Sequence, residues 1–301
     1  MTALRRAALV GPGRLGTLVA LGLAAAGLRV ERVAGGSDAA RAALRSAVAG
    51  LRDVPVEEVA HGVDVVVLAV PDGAVADVVD RLVRADAVRE GQGVVHLSGA
   101  LGLAPLRRAA LAGAWTAACH PAVTAPAGAT DPSALHGTTW AVTAAPGARE
   151  LAHELVELLG GDPVDLADAD RPRYHAALAL ASNAVGAAVV TARRLLGVAG
   201  VPDAARVLGP LARTSVDAAL EGGAAALTGP VVRGDAGTVA AHLAAIGPDA
   251  PELAEAYRTL MRAVLVTVRP GLDAAAVAAL EDVLADAAPG AVPGSAPGPA
   301  V

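Results

Sequence analysis

The stretch AALVGPGRLGTLVALGLAAAG, residues 7–27, joins two apolar runs through three closely spaced glycines. The first run has the length of a buried strand, and the second has that of a helix. A glycine inside a regular element costs about 0.5–1 kcal/mol relative to alanine. Glycines at this junction therefore indicate that the bare backbone is needed there.

Gly11, Gly13 and Gly16 form the pattern G-x-G-x-x-G. Between a strand and a helix, this pattern predicts a tight turn at the first glycine and close approach of a diphosphate at the second. At the third glycine it predicts close packing of the helix on the strand. The N–H groups at the helix start, including those of Arg14 and Leu15, are expected to bind the phosphates. The stretch therefore predicts a dinucleotide-binding domain.

The end of the second predicted strand, RVERVA at 29–34, distinguishes NADP from NAD. NAD-binding domains carry an acidic residue there for the ribose 2′-hydroxyl, whereas this sequence has alanine and glycine. Ser37 and Arg41, with Arg14 as a second cation, favour a 2′-phosphate and hence NADP. Asp38 leaves NAD as the alternative, because a longer strand would make Asp38 the acidic residue.

The composition argues against several other classes of protein. The 301 residues are 54% hydrophobic, but most of this is alanine and valine, and phenylalanine is absent. The most apolar stretch, residues 176–192, carries Ser182 and Asn183 at its centre, which favours a buried helix of a soluble protein over a membrane span. The net charge is −6 and only two Trp and two Tyr are present, so nucleic acid is not an expected partner.

Cys119 is the only cysteine, so no internal disulfide can form. The glycine loop interrupts the first apolar run too early for an export signal. We therefore expect a cytoplasmic protein. No metal site is predicted.

The first half of the chain alternates short apolar runs with helical segments, and the second half is helical. Strands are predicted at residues 7–11, 29–34, 64–70, 93–99, 115–120 and 138–144. Continuous apolar strands separated by helices indicate a doubly wound parallel sheet that is covered on both faces. We predict an α/β fold with a dinucleotide-binding domain at 1–168, an all-α domain at 169–290 and a disordered tail at 291–301.

Loops that follow predicted strands carry the candidate residues of the first domain, because ligands bind outside the carboxyl ends of parallel strands. Val70, Pro71 and Asp72 are expected beside the cofactor, although Asp72 also suits the cap of the following helix. His96 and Cys119 are expected to be buried structural residues.

Substrate is expected where two further loops meet. The loop HLSGALG at 96–102 supplies Ser98 and Gly99, and CHPAVTAP at 119–126 supplies His120. His120 is the candidate general acid, because the pKa of an imidazole lies near neutrality. A structural histidine that ends a strand is the alternative.

Two segments of the helical domain carry further polar residues. In RYHAALALASNAVG at 173–186, helical spacing puts His175, Ser182 and Asn183 on one face. A hydroxyl and an amide among small apolar residues need partners, either a ligand or a neighbouring helix.

The second segment is ALTGPVVRGDAGTVAAHLAAI at 226–246. Asp235 suits a helix N-cap, and Thr238 and His242 follow on the same side of that helix. Arg233 is the candidate clamp for a substrate carboxylate. A capped helix with an exposed arginine is the alternative.

These segments resemble those of Rossmann-like proteins with a C-terminal DUF2520 domain. The matching pieces are VGPGRLGTLVALGLAAAG, VVLAVPDGAV, VVHLSGALG, HPAVTAP, YHAALALASN and ALTGPVVRGDAGTVAAHL. The resemblance implies an NADP-binding domain and a helical domain, similar to 6-phosphogluconate dehydrogenase, pyrroline-carboxylate reductase and ketopantoate reductase. In those relatives the helical domain supplies substrate contacts and often a dimer interface, which implies a homodimer here.

One departure from the relatives concerns the proton donor. Ketopantoate reductases and β-hydroxyacid dehydrogenases carry a lysine four residues before an asparagine on the equivalent helix. Asn183 is present here, but Ala179 stands in place of the lysine. His175 or His120 would then have to supply the proton.

The sequence therefore predicts an NADPH-dependent oxidoreductase of a small 2-oxo acid, with a ketopantoate-like substrate. The missing lysine leaves two alternatives open. One is a non-catalytic NADP-binding regulatory protein, since a fold alone does not establish an activity. The other is a reductase of cyclic imines, whose reduction needs less help from an acid.

Overall fold

The computed structural model describes residues 4–126, 128–247 and 250–285, so the predicted tail at 291–301 lies outside the described residues. Contacts divide the chain into two compact units, one up to Ser182 and one from Asn183 onwards. The predicted domain boundary at 168/169 precedes this division by one short helix.

An eight-stranded sheet forms the centre of the first unit, in the order β3-β2-β1-β4-β5-β6-β7-β8. The strands are β1 (Arg6–Val10), β2 (Arg29–Ala34), β3 (Arg52–Asp53), β4 (Val65–Leu68), β5 (Gly93–His96), β6 (Trp115–Pro121), β7 (Thr139–Ala144) and β8 (Asp162–Asp165). All neighbours are parallel except β6 and β7, which are antiparallel.

Helices cover both faces of this sheet, as expected when central strands are apolar on both sides. They are α1 (Arg14–Ala25), α2 (Asp38–Ala47), α3 (Val75–Arg84), α4 (Arg107–Leu111) and α5 (Arg149–Leu158), followed by α6 (Arg171–Ala179). Two separate apolar cores result, one on each face of the sheet. Leu9 and Leu18 belong to one core, and Val10 and Leu82 belong to the other.

The α/β fold class is confirmed, and all six predicted strands are present. Two strands were missed because they lie at the edges of the sheet. β3 has two residues, both exposed, and β8 has the sequence DPVD, with no buried residue. The prediction of a wholly parallel sheet was wrong at β7, since the described residues between β6 and β7 form no long helix to carry a parallel crossover.

The second unit is helical in its described part, as predicted. A π turn (Leu180–Ala184) crosses its start and is followed by α7 (Val185–Val198), α8 (Ala204–Gly222), α9 (Ala236–Ile246), α10 (Pro251–Val268) and α11 (Ala274–Leu284). Helices α9, α10 and α11 share an apolar core that includes Val239, Leu265 and Leu280. By contrast, α7 and α8 contain no buried residue.

Candidate functional site

The glycine loop lies at the carboxyl end of β1, and each glycine has a distinct environment. Gly11 has φ +92°, and a Cβ there would lie 2.5 Å from the Ala69 carbonyl oxygen. A Cβ on Gly16 would lie 2.2 Å from the Gly11 carbonyl oxygen, because α1 packs against the strand. A Cβ on Gly13, by contrast, would have no heavy atom within 4 Å. Gly13 therefore presents open backbone to the exterior.

Helix α1 begins directly behind this opening. Its N-cap is Gly13, and no side chain caps the helix. Acidic residues are absent from its first turn, which contains Arg14 and Leu15. An uncapped helix start carries free N–H groups and a positive partial charge, so the loop fits the diphosphate of a dinucleotide.

The end of β2 holds the residues expected at the adenosine ribose. The Ser37 hydroxyl oxygen caps α2 by accepting a hydrogen bond from the Ala40 N–H at 3.2 Å. The Arg41 Nε donates to Asp53 Oδ2 at 2.8 Å, and another Arg41 nitrogen pairs with Asp38. Ser37 and Arg41, two of the three residues predicted for the 2′-phosphate, are thus already engaged within the protein.

The segment after β4 differs in one respect from the sequence prediction. Asp72 does not cap the following helix. It opens a 3₁₀ turn (Asp72–Ala74) whose N-cap is Pro71, and α3 starts only at Val75 without a side-chain cap. Pro71 and Asp72 are exposed, and Val70 is half-buried. Because this turn precedes α3, the Asp72 carboxylate does not cap the helix. It lies exposed in the loop after β4.

His96 ends β5 and supports the loop that comes after it. Its Nδ1 accepts a hydrogen bond from the Ser98 N–H at 3.2 Å, and its Nε2 donates to the Gly102 carbonyl oxygen at 2.9 Å. Burial lowers the pKa of His96. His96 is therefore a neutral structural histidine, as the sequence predicted.

The Ser98 hydroxyl also serves this loop rather than the space outside it. Its oxygen accepts hydrogen bonds from the N–H groups of Ala100 and Leu101, at 3.2 and 3.0 Å. Gly99 follows Ser98 and lies against two imidazole rings. A Cβ on Gly99 would be 2.5 Å from His175 Cδ2 and 3.0 Å from His120 Nε2. Glycine is required here because any side chain would displace these rings.

His120, Tyr174 and His175 form a ring cluster beside Gly99. The His120 ring lies edge-on to Tyr174 at 5.8 Å between centroids and edge-on to His175 at 5.9 Å. The Tyr174 hydroxyl lies 3.4 Å from His120 Nδ1, within reach as a donor. The structure thus brings together four predicted residues from three segments, namely Ser98, Gly99, His120 and His175.

Arg171 opens α6 beneath the cluster and is fully buried. Its guanidinium donates to the carbonyl oxygens of Ser98 and Ala118 and to the Thr143 hydroxyl. Its Nε is buried with no partner among the described residues. Arg171 therefore ties α6 to β6, to β7 and to the loop after β5, and puts a positive charge under the site.

Burial and neighbouring charges set the protonation states here. Burial, with smaller contributions from the charges of His175 and Arg171, lowers the pKa of His120 to about 4. Burial raises the pKa of Tyr174, an effect that Arg171 partly offsets. At neutral pH His120 is therefore a neutral imidazole beside a protonated phenol. Burial also raises the pKa of Cys119 to about 12, so this thiol is an inert core residue, as predicted.

Comparison with protein families accounts for most of the chain. Residues 2–121 match the model of a Rossmann-like domain, and residues 138–264 match that of a domain of unknown function, DUF2520. The chain joins a Rossmann-like domain to a DUF2520 domain. No protein of curated function shows a significant sequence match to it.

Solved structures show the same fold at low identity. BF3122 of Bacteroides fragilis, provisionally described as an NADP oxidoreductase, is 20% identical with a TM-score of 0.74, covering 87% of this chain and 98% of its own. TM1727 of Thermotoga maritima is 19% identical with a TM-score of 0.64, covering 88% and 99%. The imine reductase of Streptomyces aurantiacus is 18% identical with a TM-score of 0.61, covering 94% and 100%.

Within the DUF2520 match, the predicted helix face of His175, Ser182 and Asn183 is not continuous. The π turn over residues 180–184 takes up an extra residue, which rotates the rest of the helix by roughly one α-helical position, about 100°. The expected spacing therefore fails after Ala179. The Ser182 hydroxyl donates to the Leu178 carbonyl oxygen at 2.9 Å. Wide turns of this kind are frequent at functional sites.

The other predicted DUF2520 residues form a group of their own in the second unit. Asp235 caps α9 as predicted, accepting from the Thr238 N–H at 2.9 Å and from its hydroxyl at 2.6 Å. These bonds lower the pKa of Asp235, and the charges of Arg233 and His242 act in the same direction. His242 contacts the Tyr257 hydroxyl at 2.8 Å through Nδ1.

Sequence reasoning missed Tyr174 and Arg171. Tyr174 is next to His175, and only two tyrosines are present in the chain, which was an available signal. Arg171 gave no such signal, because an arginine at the start of a helix is normally predicted to be exposed to solvent. Its burial depends on contacts with β6, with β7 and with the loop after β5.

Proposed function

We propose that the chain is an NADPH-dependent oxidoreductase that reduces a small 2-oxo acid, with a ketopantoate-like compound as the best candidate substrate. The observation that carries the proposal is the arrangement of the first unit. An open glycine loop and an uncapped helix follow β1, and His120, near the carboxyl end of β6, pairs with Tyr174 of α6 at the same edge of the sheet. The likeness to BF3122 and to the Streptomyces imine reductase is consistent with hydride transfer.

The residues of the glycine loop would hold the cofactor by its diphosphate, with N–H groups from Gly13 to Gly16 as donors. Bound NADPH supplies a hydride to the substrate carbon. The protein must then protonate the resulting alkoxide oxygen, and the relatives' lysine is replaced by Ala179. His120 is not a cationic acid at neutral pH, because its pKa is lowered to about 4.

A relay through the neutral imidazole solves this problem. The proton on His120 Nε2 passes to the alkoxide, while Nδ1 takes the hydroxyl proton of Tyr174, and the imidazole is neutral before and after. The remaining charge is a Tyr174 phenolate, which regains a proton from solvent. Arg171 stabilises this phenolate, since it lies three residues earlier on α6 and its charge lowers the pKa of Tyr174.

The charge of Arg171 also favours an anionic substrate. Its guanidinium bonds only to neutral acceptors, and no carboxylate of the described residues pairs with it. Asp168 and Asp72 act on this charge without forming a direct ion pair, so the guanidinium still favours anions such as 2-oxo acids.

Reduction of a cyclic imine is the second candidate. An iminium ion arrives already protonated, so the low pKa of His120 and the missing lysine are no obstacle. A panel of 2-oxo acids and cyclic imines, assayed with NADPH, separates the two candidates. Oxidation of NADPH by no member of the panel, with NADPH still bound, would instead favour a non-catalytic NADP-binding protein.

Tyr174→Phe tests the relay, with Arg173→Gln as the control, because Arg173 is an exposed neighbour on α6. We expect NADPH affinity to be unchanged in both variants. Turnover should fall about 10²–10⁴-fold only in Tyr174→Phe, the range typical of a lost acid–base group. Equal turnover in the two variants would refute the relay.

We further propose that the chain forms a homodimer through α7 and α8. Their exposed apolar side chains include Val190, Leu211 and Leu220, at 55%, 64% and 80% exposure. The helical stretch Asp168–Val198 is long and apolar enough to cross a membrane by length and composition, and none of its apolar window is buried. Light scattering of the purified chain should give twice the monomer mass, and Leu211→Glu with Leu220→Glu should restore the monomer. Partition into detergent instead would contradict the dimer.

A further inference from the structure

The Arg41 guanidinium makes four hydrogen bonds at the end of β2. Nε donates to Asp53 Oδ2 at 2.8 Å, and Nη1 donates to the carbonyl oxygens of Gly35 and Gly36 at 3.2 and 2.8 Å. Nη2 donates to Asp38 Oδ1. Four of the five N–H donors of Arg41 are therefore taken, which leaves one for a cofactor.

The net negative charge of Arg41, Asp38 and Asp53 together disfavours binding of a 2′-phosphate. One positive charge on Arg41 is set against two negative charges on Asp38 and Asp53. A phosphate monoester adds about 1.5–2 further negative charges at neutral pH. NADP binding at this position therefore requires one carboxylate to leave the guanidinium.

The two carboxylates differ in how firmly they are held. Asp53 lies on β3, paired with Val33 of β2, and its side chain is 30% exposed. The Asp38 side chain is 98% exposed at the first position of α2. Rotating Asp38 into solvent costs little, because an exposed ion pair contributes only about 0.2–1 kcal/mol. Moving Asp53 would disturb the sheet edge.

We propose that Asp38 is a displaceable carboxylate that competes with the cofactor's 2′-phosphate for Arg41, and that Asp53 is the positioning residue that holds Arg41 in place. This rests on the proposed function, because it requires a dinucleotide on the glycine loop. When NADPH binds, the phosphate takes the Nη2 donor from Asp38. When NADH binds, Asp38 keeps its pairing and accepts a hydrogen bond from the ribose 2′-hydroxyl. The preference between the cofactors is therefore set by Asp38.

The test measures dissociation constants of NADPH and NADH by calorimetry for the wild type and for Asp38→Asn. We expect NADPH to bind about two- to fivefold more tightly to the variant. This factor corresponds to the free energy of an exposed ion pair, which the phosphate no longer has to displace. NADH should bind no more tightly than before. The gain for NADPH should shrink at high salt, because the charges are exposed.

Two further variants make the result specific to this contact. Glu255→Gln removes the acid of another exposed i,i+3 pair with arginine, in the second unit, and should leave both constants unchanged. In an Arg41→Gln background, Asp38→Asn should give no gain for NADPH. An equal gain in that background, or none in the Arg41 protein, would overturn the competition. Failure of the wild type to bind either nucleotide would instead refute the proposed function.

Discussion

Replacing Gly13 by alanine separates binding from folding more cleanly than any other change in the glycine loop. Gly13 has φ −74° and ψ −169°, a conformation that alanine adopts without strain. The new methyl group would meet no protein atom within 4 Å. We therefore expect the free energy of unfolding to stay the same or rise by about 0.4–1 kcal/mol, since alanine restricts the unfolded chain.

Cofactor binding should respond in the opposite direction. The methyl group would occupy the space through which the diphosphate reaches the N–H groups of α1. Loss of one charge-assisted hydrogen bond costs about 1.5–3 kcal/mol, which corresponds to roughly 10- to 150-fold in the dissociation constant of NADPH. Isothermal calorimetry measures the affinity, and urea denaturation measures the stability of the same preparation.

Gly197→Ala is the matched control for this variant. Gly197 also has open space at its Cβ position and no positive φ, but it lies in α7 in the second unit. We expect it to leave NADPH affinity unchanged. A folded Gly13→Ala protein that binds NADPH as tightly as the wild type would refute the role given to the glycine loop.

Three further changes test the ring cluster. Gly99→Ala should reduce turnover and lower the free energy of unfolding by about 1–3 kcal/mol, because the added Cβ would lie 2.5 Å from His175 Cδ2; activity and urea denaturation measure both. Arg171→Met should raise the pKa of His120 while leaving it below 6.5, since burial is the larger cause of the shift; NMR titration of the imidazole measures this pKa. Finally, the pKa of His120 is about 4 in the folded chain and about 6.5 in the unfolded chain. Between these two pH values the unfolded chain binds a proton at His120 and the folded chain does not. Stability should therefore fall as the pH drops from about 6.5 to about 4, by at most about 3 kcal/mol, and His120→Gln should reduce this dependence.

Local patterns in the sequence were enough for the glycine loop and the central strands. G-x-G-x-x-G between an apolar run and a helix predicted a tight turn at Gly11 and close packing of the helix at Gly16, and both glycines are packed in this way. The cap at Asp235 was equally local, since it depends only on the residue three positions later. Such features need no knowledge of the rest of the chain.

Features that depend on distant segments were not predictable in this way. Whether Arg171 is buried depends on acceptors at Ser98, Ala118 and Thr143, which lie 28 to 73 residues away. The π turn at 180–184 interrupts a spacing that looked continuous along the sequence. The hydrogen bond from Arg41 to Asp53 depends on β3, which has only two residues and is too short to show the hydrophobic pattern of a strand.

The pH dependence of turnover distinguishes the relay from a cationic acid. An ordinary imidazolium donor would lose activity as the pH rises through about 6.5, where it is deprotonated. In the relay, His120 is active in its neutral form, which prevails above a pKa of about 4. The proton comes from Tyr174, whose pKa lies above the ordinary 10.0 because of burial. We therefore expect kcat/KM to stay level from mildly acidic to mildly alkaline pH and to fall only as Tyr174 ionises. A decline centred near pH 6.5 would show that a charged histidine donates the proton, and would exclude the relay.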